Sequence, residues 1–304
     1  MSKMSRPSTF SIVARDSTNG DLGIIVQSKF PAVGALVPWA KAEIGAIATQ
    51  AWANVGYGPN GLELLEAGNS ASETLKILLD GDEGQEHRQI GIVDVNGQAV
   101  AHTGKECMEW AGQIVGDGFT CQGNILAGES VVVDMAEAYE NTEGDLIDKL
   151  FAGLIAGQEA GGDRRGMQSA AVLVVREKGG YEGGNDRYVD VRVDEHPSPI
   201  EELVRVFNIY DMTLLSREDP NLLVHIDGDL LAIIQQALVT LGYLEKDHQN
   251  VFNEMTKSAL SEWTNTNNFE NKARDDGTIW PSVMEYLLED ADLMAEWRKR
   301  QHDL

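Results

Sequence analysis

Short apolar runs separated by polar turns dominate the first part of the chain. Thr9–Arg15 and Leu22–Gln27 alternate as two strands joined by a hairpin turn at Asn19-Gly20. The next apolar runs predict further strands at Val33–Val37 and Ile44–Ala51. Later runs predict two more hairpins, over residues 90–102 and 110–122, and a strand pair over 169–176 and 187–193.

Helical spacing of apolar residues appears between these strand regions. The pattern predicts helices over residues 58–67, 131–139, 145–156 and 198–215, and Ser70-x-x-Glu73 is a capping box that opens another. The order is sheet, helix pair, sheet, helix pair, sheet, helix. It favours an α+β fold built as a four-layer αββα sandwich over a doubly wound parallel sheet, with a generic α+β fold as the alternative.

A polar segment around Pro220 separates these elements from a purely helical tail. Apolar residues recur at helical spacing from Leu230 to Leu241, where Gly242 ends the helix, and again over 253–264 and 281–297. The predicted organisation is an N-terminal extension (1–8), an αββα domain (9–220) and a helical module (221–304).

The composition of the chain disfavours several classes of binding partner. The 304 residues include 24 Lys and Arg against 49 Asp and Glu, a formal charge of −25, which disfavours nucleic acid and anionic membranes. No apolar run approaches the roughly 20 residues of a membrane helix, and no signal peptide is evident, so a cytoplasmic location is expected. Two cysteines without a C-x-x-C motif and scattered histidines predict no metal and no cofactor.

Six motifs occur in a distinctive order: TFSIVARD (9–16), VQSKFPAVG (26–34), ATQAWAN (48–54), YGPNGLELL (57–65), QGNILAG (122–128) and AGGDRRGMQSAA (160–171), with AHTG at 101–104. They resemble the bacterial domain-of-unknown-function 1028 family, assigned to the Ntn-hydrolase superfamily. The resemblance spans about residues 8–217 and implies the αββα fold. Residues 229–270 resemble a peptidoglycan-binding helical module, although no Asp-Gly precedes Phe252.

The resemblance implies that Thr9 is the catalytic nucleophile. In Ntn hydrolases the first residue of the first strand supplies both the hydroxyl and, through its α-amine, the base. Eight residues precede Thr9, so the Ser8–Thr9 bond must be cut before that mechanism can operate. Lys41, 32 residues after Thr9, is the predicted cation that lowers the pKa of the nucleophile. The alternative is a strand-opening threonine and a solvated lysine.

Further polar residues are candidates for substrate binding. The amides of two asparagines suit an oxyanion site but also suit turn caps, and an arginine pair in a glycine loop suits a substrate carboxylate. A lone histidine after a strand is more often structural than a general base. Ser28 is an alternative nucleophile beside Lys29. The predicted substrate-binding residues are Ser28, Lys29, Asn54, His102, Asn124, Arg164 and Arg165.

Two functions are therefore expected. The first is an amidohydrolase acting on a small C–N substrate, and the second is a non-catalytic ligand-binding protein on the same scaffold. A small-molecule ligand and a homodimer are the expected partners. The helical tail could bind a muropeptide or another partner, although a cytoplasmic protein does not meet polymerised peptidoglycan.

Overall fold

A computed structural model describes residues 9–246 and 250–302 of the chain. The predicted N-terminal extension, residues 1–8, lies outside the described residues. The chain divides into two compact units, with the division between Val206 and Phe207. The sequence pattern placed its boundary later, after residue 220.

Two antiparallel sheets form the first unit. Its strands, in chain order, are β1 (Thr9–Arg15), β2 (Leu22–Ser28), β3 (Pro38–Lys41), β4 (Gly45–Ala51), β5 (Arg88–Asp94), β6 (Ala99–Thr103), β7 (Gly112–Gly116), β8 (Phe119–Asn124), β9 (Ser169–Val175) and β10 (Arg187–Val193). One sheet has the order β10-β9-β2-β1-β8-β7, and the other has the order β3-β4-β5-β6. The two sheets face each other, since Ser11 on β1 donates to Gln50 on β4.

Helices lie on the other side of each sheet. They are α1 (Tyr57–Glu66), α2 (Ala71–Asp80), α3 (Ser130–Asn141) and α4 (Leu146–Glu159). A fifth helix, α5 (Pro199–Leu214), follows β10 in the chain. The pair α1 and α2 contacts the four-stranded sheet, and the pair α3 and α4 contacts the six-stranded sheet. The predicted capping box is confirmed, because the side chains of Ser70 and Glu73 each accept a hydrogen bond from the other's backbone N–H.

Two glycines let α4 approach β1 closely. A Cβ on Gly153 would lie 2.4 Å from Ile12 Cδ1, and one on Gly157 would lie 3.3 Å from Phe10 Cε2 and 2.5 Å from Met135 Cγ. Any larger residue would push the helix away from the sheet. Phe10 and Ile12 therefore point towards α4, and Thr9 and Ser11, which alternate with them, point towards the opposite sheet.

The predicted strand at Val33–Val37 is wrong. Val33–Ala35 forms a short 3₁₀ helix after Ala32, whose φ of 52° turns the chain sharply, and the strand begins only at Pro38. Apolar content alone does not distinguish a short buried strand from a buried turn.

The second unit is mostly helical. Its elements are β11 (Val224–His225), α6 (Gly228–Thr240), α7 (Glu254–Thr266), β12 (Thr278–Ile279), α8 (Pro281–Asp290) and α9 (Met294–His302), with β11 paired to β12. Trp263, Phe269 and Leu287 are buried in its apolar core. The prediction of an α+β chain with a helical C-terminal region is thus confirmed. Within 9–246 and 250–302, every helix is too short or too polar to cross a bilayer.

Candidate functional site

Thr9 lies at the buried beginning of the central strand β1. In the strand ladder it stands opposite Ser28 of β2 on one side and Asn124 of β8 on the other. Its Oγ1 is 3.1 Å from Ser28 Oγ, and both residues have no exposed surface. The structure thus brings three residues that the sequence singled out separately into one row across the sheet.

Buried amides hold the backbone of Thr9. Gln50 Nε2 donates to the Thr9 carbonyl at 3.3 Å, and Asn124 Nδ2 approaches the same oxygen at 3.4 Å. Both amides also donate to Gln89 Oε1, at 2.9 and 3.0 Å. Gln89 therefore fixes the direction of both side chains and aims them at Thr9.

The hydrogen bonds continue across the space between the sheets. Ser11 Oγ donates to Gln50 Oε1 at 2.6 Å, and Gln122 Nε2 donates to Ser11 Oγ at 2.8 Å. We call the connected residues Ser11, Gln50, Gln89, Gln122 and Asn124 the polar layer. Sequence reasoning missed its three glutamines. The available signal was a glutamine within or directly beside each of three strand-forming runs, where a long polar side chain needs a buried partner.

Asp163 ties the glycine-rich loop to the end of β2. Its carboxylate, fully buried, accepts the Lys29 backbone N–H at 2.8 Å and pairs with Arg165 at 3.1 Å. Lys29 Nζ donates to the Met167 carbonyl at 2.9 Å. The charge of Arg165 is thus matched by Asp163, and Lys29 and Arg164 are exposed at this edge of the sheet.

Asn54 belongs to a polar cluster centred on Asp82. The Asp82 carboxylate accepts from Arg88 Nε at 2.9 Å, Asn54 Nδ2 at 3.1 Å and the Tyr57 hydroxyl at 2.9 Å. The hydrogen bond from Arg88 lowers the pKa of Asp82 well below its ordinary value. Burial, and then the bond to Asp82, raises the pKa of Tyr57. Arg88 also donates to the Trp52 carbonyl at 2.6 Å, so the cluster anchors the loop after β4.

Two residues with positive φ lie at the ends of β4 and β8, near Thr9. Ala51 has φ of 66° and Ile125 has φ of 52°, a region that a β-branched side chain rarely adopts. Such conformations persist where the surrounding structure enforces them, often at functional sites. Both residues line a cavity of about 20 Å³, which holds roughly one water molecule. The lining residues are Ala51, Trp52, His87, Glu106, Cys107, Met108, Asn124 and Ile125.

Burial holds the Cys107 thiol in that cavity in its protonated form. Burial raises its pKa to about 11, so the thiolate that would act as a nucleophile is scarce. Its Sγ donates to the Arg88 carbonyl at 3.4 Å, which is a structural contact.

Lys41 and His102 lie away from Thr9. Lys41 pairs with Gly45 at the far end of β4, about 16 Å along the strand from Gln50, and its Nζ is 2.5 Å from Glu66. His102 Nε2 is 3.2 Å from the Gln85 carbonyl. The next residue on β6, Thr103, accepts a hydrogen bond from Gln89, so the His102 side chain lies on the opposite face of the sheet from the polar layer. Neither side chain is therefore brought to the Thr9 row.

The described residues hold no cluster of three or more His, Cys, Asp or Glu side chains arranged to bind a metal ion. The arrangement at Thr9 is one of hydroxyls and neutral amides instead. Its chemical capacity is hydrogen bonding and, if the amine of Thr9 is freed, nucleophilic attack by a hydroxyl.

Comparison with known families assigns the chain. Residues 9–203 match the "Family of unknown function (DUF1028)", and residues 213–287 match the "Putative peptidoglycan binding domain". The first match covers most of the chain and begins at Thr9. The chain therefore belongs to the DUF1028 family. No curated protein matches it.

Solved structures include a member of the same family. Protein SPO2555 from Silicibacter pomeroyi, described as a DUF1028 protein, is 27% identical, with a TM-score of 0.61 over 70% of this chain and 98% of that chain. The Anbu protein (ancestral beta-subunit) from Yersinia bercovieri is 11% identical, with a TM-score of 0.32 over 65% of this chain and 92% of that chain.

Proposed function

We propose that this protein is an amidohydrolase of the N-terminal-nucleophile type, with a four-layer αββα sandwich, Thr9 as nucleophile and a small amide as substrate. The observation that carries the proposal is the hydroxyl pair at the start of the central strand, where Thr9 Oγ1 is 3.1 Å from Ser28 Oγ. A threonine in that position carries a nucleophile and, once its amine is free, its own base.

In the proposed reaction, the α-amine of Thr9 takes the hydroxyl proton while Oγ1 attacks the carbonyl carbon of the amide. The carbon–nitrogen bond then breaks, the leaving amine takes the proton, and the acyl group remains as an ester on Oγ1. Water hydrolyses this ester and regenerates Thr9. Ser28 orients Oγ1, and Gln50 and Asn124 hold the carbonyl of Thr9 so that the residue stays in place.

The charges at the end of β2 and in the neighbouring glycine-rich loop favour an anionic substrate. Lys29 and Arg164 are exposed there, whereas Arg165 is matched by Asp163. A substrate carboxylate gains hydrogen bonds from such cations, which orient the amide. The proposed reaction does not use Lys41, Asn54 or His102. Their side chains contact Glu66, Asp82 and Gln85, which are not part of the Thr9 row.

The amine of Thr9 must be freed first, because eight residues precede it in this sequence. The proposed step is attack of Thr9 Oγ1 on the carbonyl carbon of Ser8. The peptide C–N bond breaks as the ester forms, and the proton moves to the new amine. Water then cleaves the ester. Ser8 itself lies outside the described residues.

A second function is favoured by the enclosure of the site. Thr9 and Ser28 have no exposed surface, and the adjacent cavity, of about 20 Å³, holds roughly one water molecule. A chain that keeps the Ser8–Thr9 bond would have a blocked amine and would act as a binding protein on the same scaffold.

Intact-mass measurement of the purified chain separates these functions. We expect a species that begins at Thr9, which is absent from the Thr9→Ala variant and slow to form in Ser28→Ala. The matched control is Thr18→Ala, which changes an exposed threonine in the turn after β1 and should process normally.

Turnover completes the test. The processed chain is incubated with primary amides and N-acyl amino acids, and released ammonia or amine is measured. We expect release by the wild type and none by Thr9→Ala. Recovery of only the unprocessed chain, with no turnover, would contradict the amidohydrolase proposal and support the binding protein.

A further inference from the structure

A second cavity, of about 220 Å³, opens at the side of the first unit. The four-stranded sheet ends at β3, which contacts β2 and β9, whereas the six-stranded sheet continues one strand further to β10. β10 therefore extends past the edge of the sheet that faces it. The cavity lies beside β3, over the part of the six-stranded sheet that the four-stranded sheet does not cover. Its floor is apolar and consists of Ala171, Leu173 and Val175 of β9.

The two walls are joined at both ends by hydrogen bonds. The Ala42 N–H donates to Asp186 Oδ2 at 3.0 Å beyond β3, and the Ala32 N–H donates to the Asp194 carbonyl at 2.8 Å before it. The spacing of β3 and β10 is thus set by the fold, and the cavity between them is preformed, as small-molecule sites usually are.

One wall offers free backbone groups. In an antiparallel pair, residues bonded to the partner strand alternate with residues whose N–H and C=O point away from it. The Thr49 N–H donates to the Val37 carbonyl, so Trp39 and Lys41 continue the bonded set. The N–H and C=O of Ala40, which lines the cavity, therefore point away from β4 and towards the open edge.

The other wall offers an unmatched positive charge. Arg187 is paired with Asp190, and both line the cavity. Arg192 also lines it and is exposed, and its guanidinium has no hydrogen bond or ion pair with any other described residue. In a chain with 49 acidic and 24 basic residues, a cation without an ion-pair partner at the mouth of a cavity attracts anionic ligands.

We propose that this cavity binds a small monocarboxylate with a short apolar tail. The carboxylate lies between the guanidinium of Arg192 and the N–H of Ala40, and the tail packs on Ala171 and Leu173. The cavity contains neither Thr9 nor its partners, so binding here does not depend on the proposed amidohydrolase activity.

Calorimetric titration of the full chain with hexanoate tests the proposal, with hexanamide as the neutral ligand of the same shape. We expect saturable binding of hexanoate and at least about tenfold weaker binding of hexanamide, because the charge-assisted bonds are lost. Arg192→Gln should weaken hexanoate binding by about tenfold or more. Ala35→Phe, at an exposed position on the cavity rim, should weaken it by narrowing the space.

Arg205→Gln is the matched control, since it removes an exposed arginine outside the cavity and should leave binding unchanged. Equal thermal unfolding midpoints for wild type and Arg192→Gln show that the variant is folded, and a hexanoate-dependent shift of the Ala40 amide in NMR spectra locates the ligand. No saturable binding, equal affinity for hexanamide, or unchanged affinity in Arg192→Gln would each overturn the proposal.

Discussion

The space between the two sheets and the core of the helical unit are filled in opposite ways. Near Thr9, the sheets are joined by the polar layer, whose side chains meet through directed hydrogen bonds. The helical core is built from large apolar side chains, among them Trp263, Phe269 and Leu287. Hydrogen bonds fix distances and angles, whereas apolar packing fixes only shape and volume. The first arrangement suits the positioning of a reactive group, and the second suits stability.

The same contrast exists within the first unit. Away from Thr9, the space between the sheets is filled by apolar residues such as Val13, Leu22, Ile24 and Val93. Buried amides add little net stability compared with apolar packing and are costly when any partner is missing. Their concentration at one end, around the Thr9 carbonyl, is what the proposed nucleophilic role of Thr9 requires.

The largest expected effect is in the helical core. Trp263 has no exposed surface, packs 5.9 Å from Phe269 between ring centres and donates Nε1–H to Asp290 at 3.1 Å. Trp263→Ala leaves a large cavity in this core, so it should lower the free energy of unfolding by about 4 kcal/mol. Denaturant unfolding followed by circular dichroism measures this loss.

Met255→Ala provides the control, because Met255 is about half exposed on the surface of α7 and should change stability by less than about 0.5 kcal/mol. Equal losses for the two variants would show that the helical unit is not held by a packed core, and its contrast with the polar layer would disappear.

Gln89→Leu tests the polar layer directly. It removes the acceptor shared by Gln50 and Asn124 and the donor that bonds the Gly123 carbonyl at 2.8 Å. Leucine fills the volume but leaves buried polar groups without partners, so we expect a loss of about 3 kcal/mol in the free energy of unfolding. Chemical denaturation of the full chain measures it.

Gln98→Leu, the same change at an exposed position of the first unit, should be close to neutral. If Gln89→Leu were also neutral or stabilising, the bonds of the polar layer would not fix its side chains, and the layer could not be what places Thr9.

Local signals predicted the elements, and they could not predict this layer. The Asn19-Gly20 turn and the Ser70–Glu73 capping box depend on residues a few positions apart, and both gave correct elements. Gln50 and Gln89 meet across adjacent strands, and Gln50 also donates to the backbone carbonyl of Gln122 in the other sheet. Such contacts depend on strand order and register, which a sequence pattern does not specify.

The candidate site shows the same difference between what local sequence signals predict and what only the folded structure reveals. Thr9, Ser28 and Asn124 were found from their residue types and motifs, and the ladder then placed them in one row. Lys41 was selected by its distance along the sequence from Thr9. Spacing along the chain does not measure distance in space when a turn intervenes, and the 3₁₀ helix at Val33–Ala35 redirects the chain before β3.

A smaller effect is expected at the Asp82 cluster, and it depends on pH. The pKa of Asp82 is depressed in the folded chain, so its bonds stabilise the fold above the ordinary value of 3.8 and are lost as the pH falls. Asp82→Asn should therefore cost about 2 kcal/mol near neutral pH, and the difference from wild type should shrink below about pH 4. Urea unfolding at a series of pH values measures the difference.

Asp80→Asn is the matched control, because Asp80 is exposed and forms a surface pair with Lys76. It should be nearly neutral at every pH. A cost for Asp82→Asn that stays constant from neutral to acidic pH would show that packing, and not the charged bonds to Arg88, holds the loop after β4.

The smallest effect is expected for Lys41→Gln, which compares a surface ion pair with the buried polar layer and the buried helical core. Lys41 and Glu66 are each about half exposed, so solvent screens their ion pair and its loss should cost less than about 1 kcal/mol. Since Lys41 lies about 16 Å along β4 from Gln50, the variant should also process the Ser8–Thr9 bond at the wild-type rate. Thermal unfolding and intact mass measure the two quantities, with Lys76→Gln as the control for loss of an exposed paired lysine. Slower processing in Lys41→Gln alone would restore Lys41 as the cation that acts on Thr9, and it would require the chain to bring β3 and the start of β1 closer together than the strand register allows.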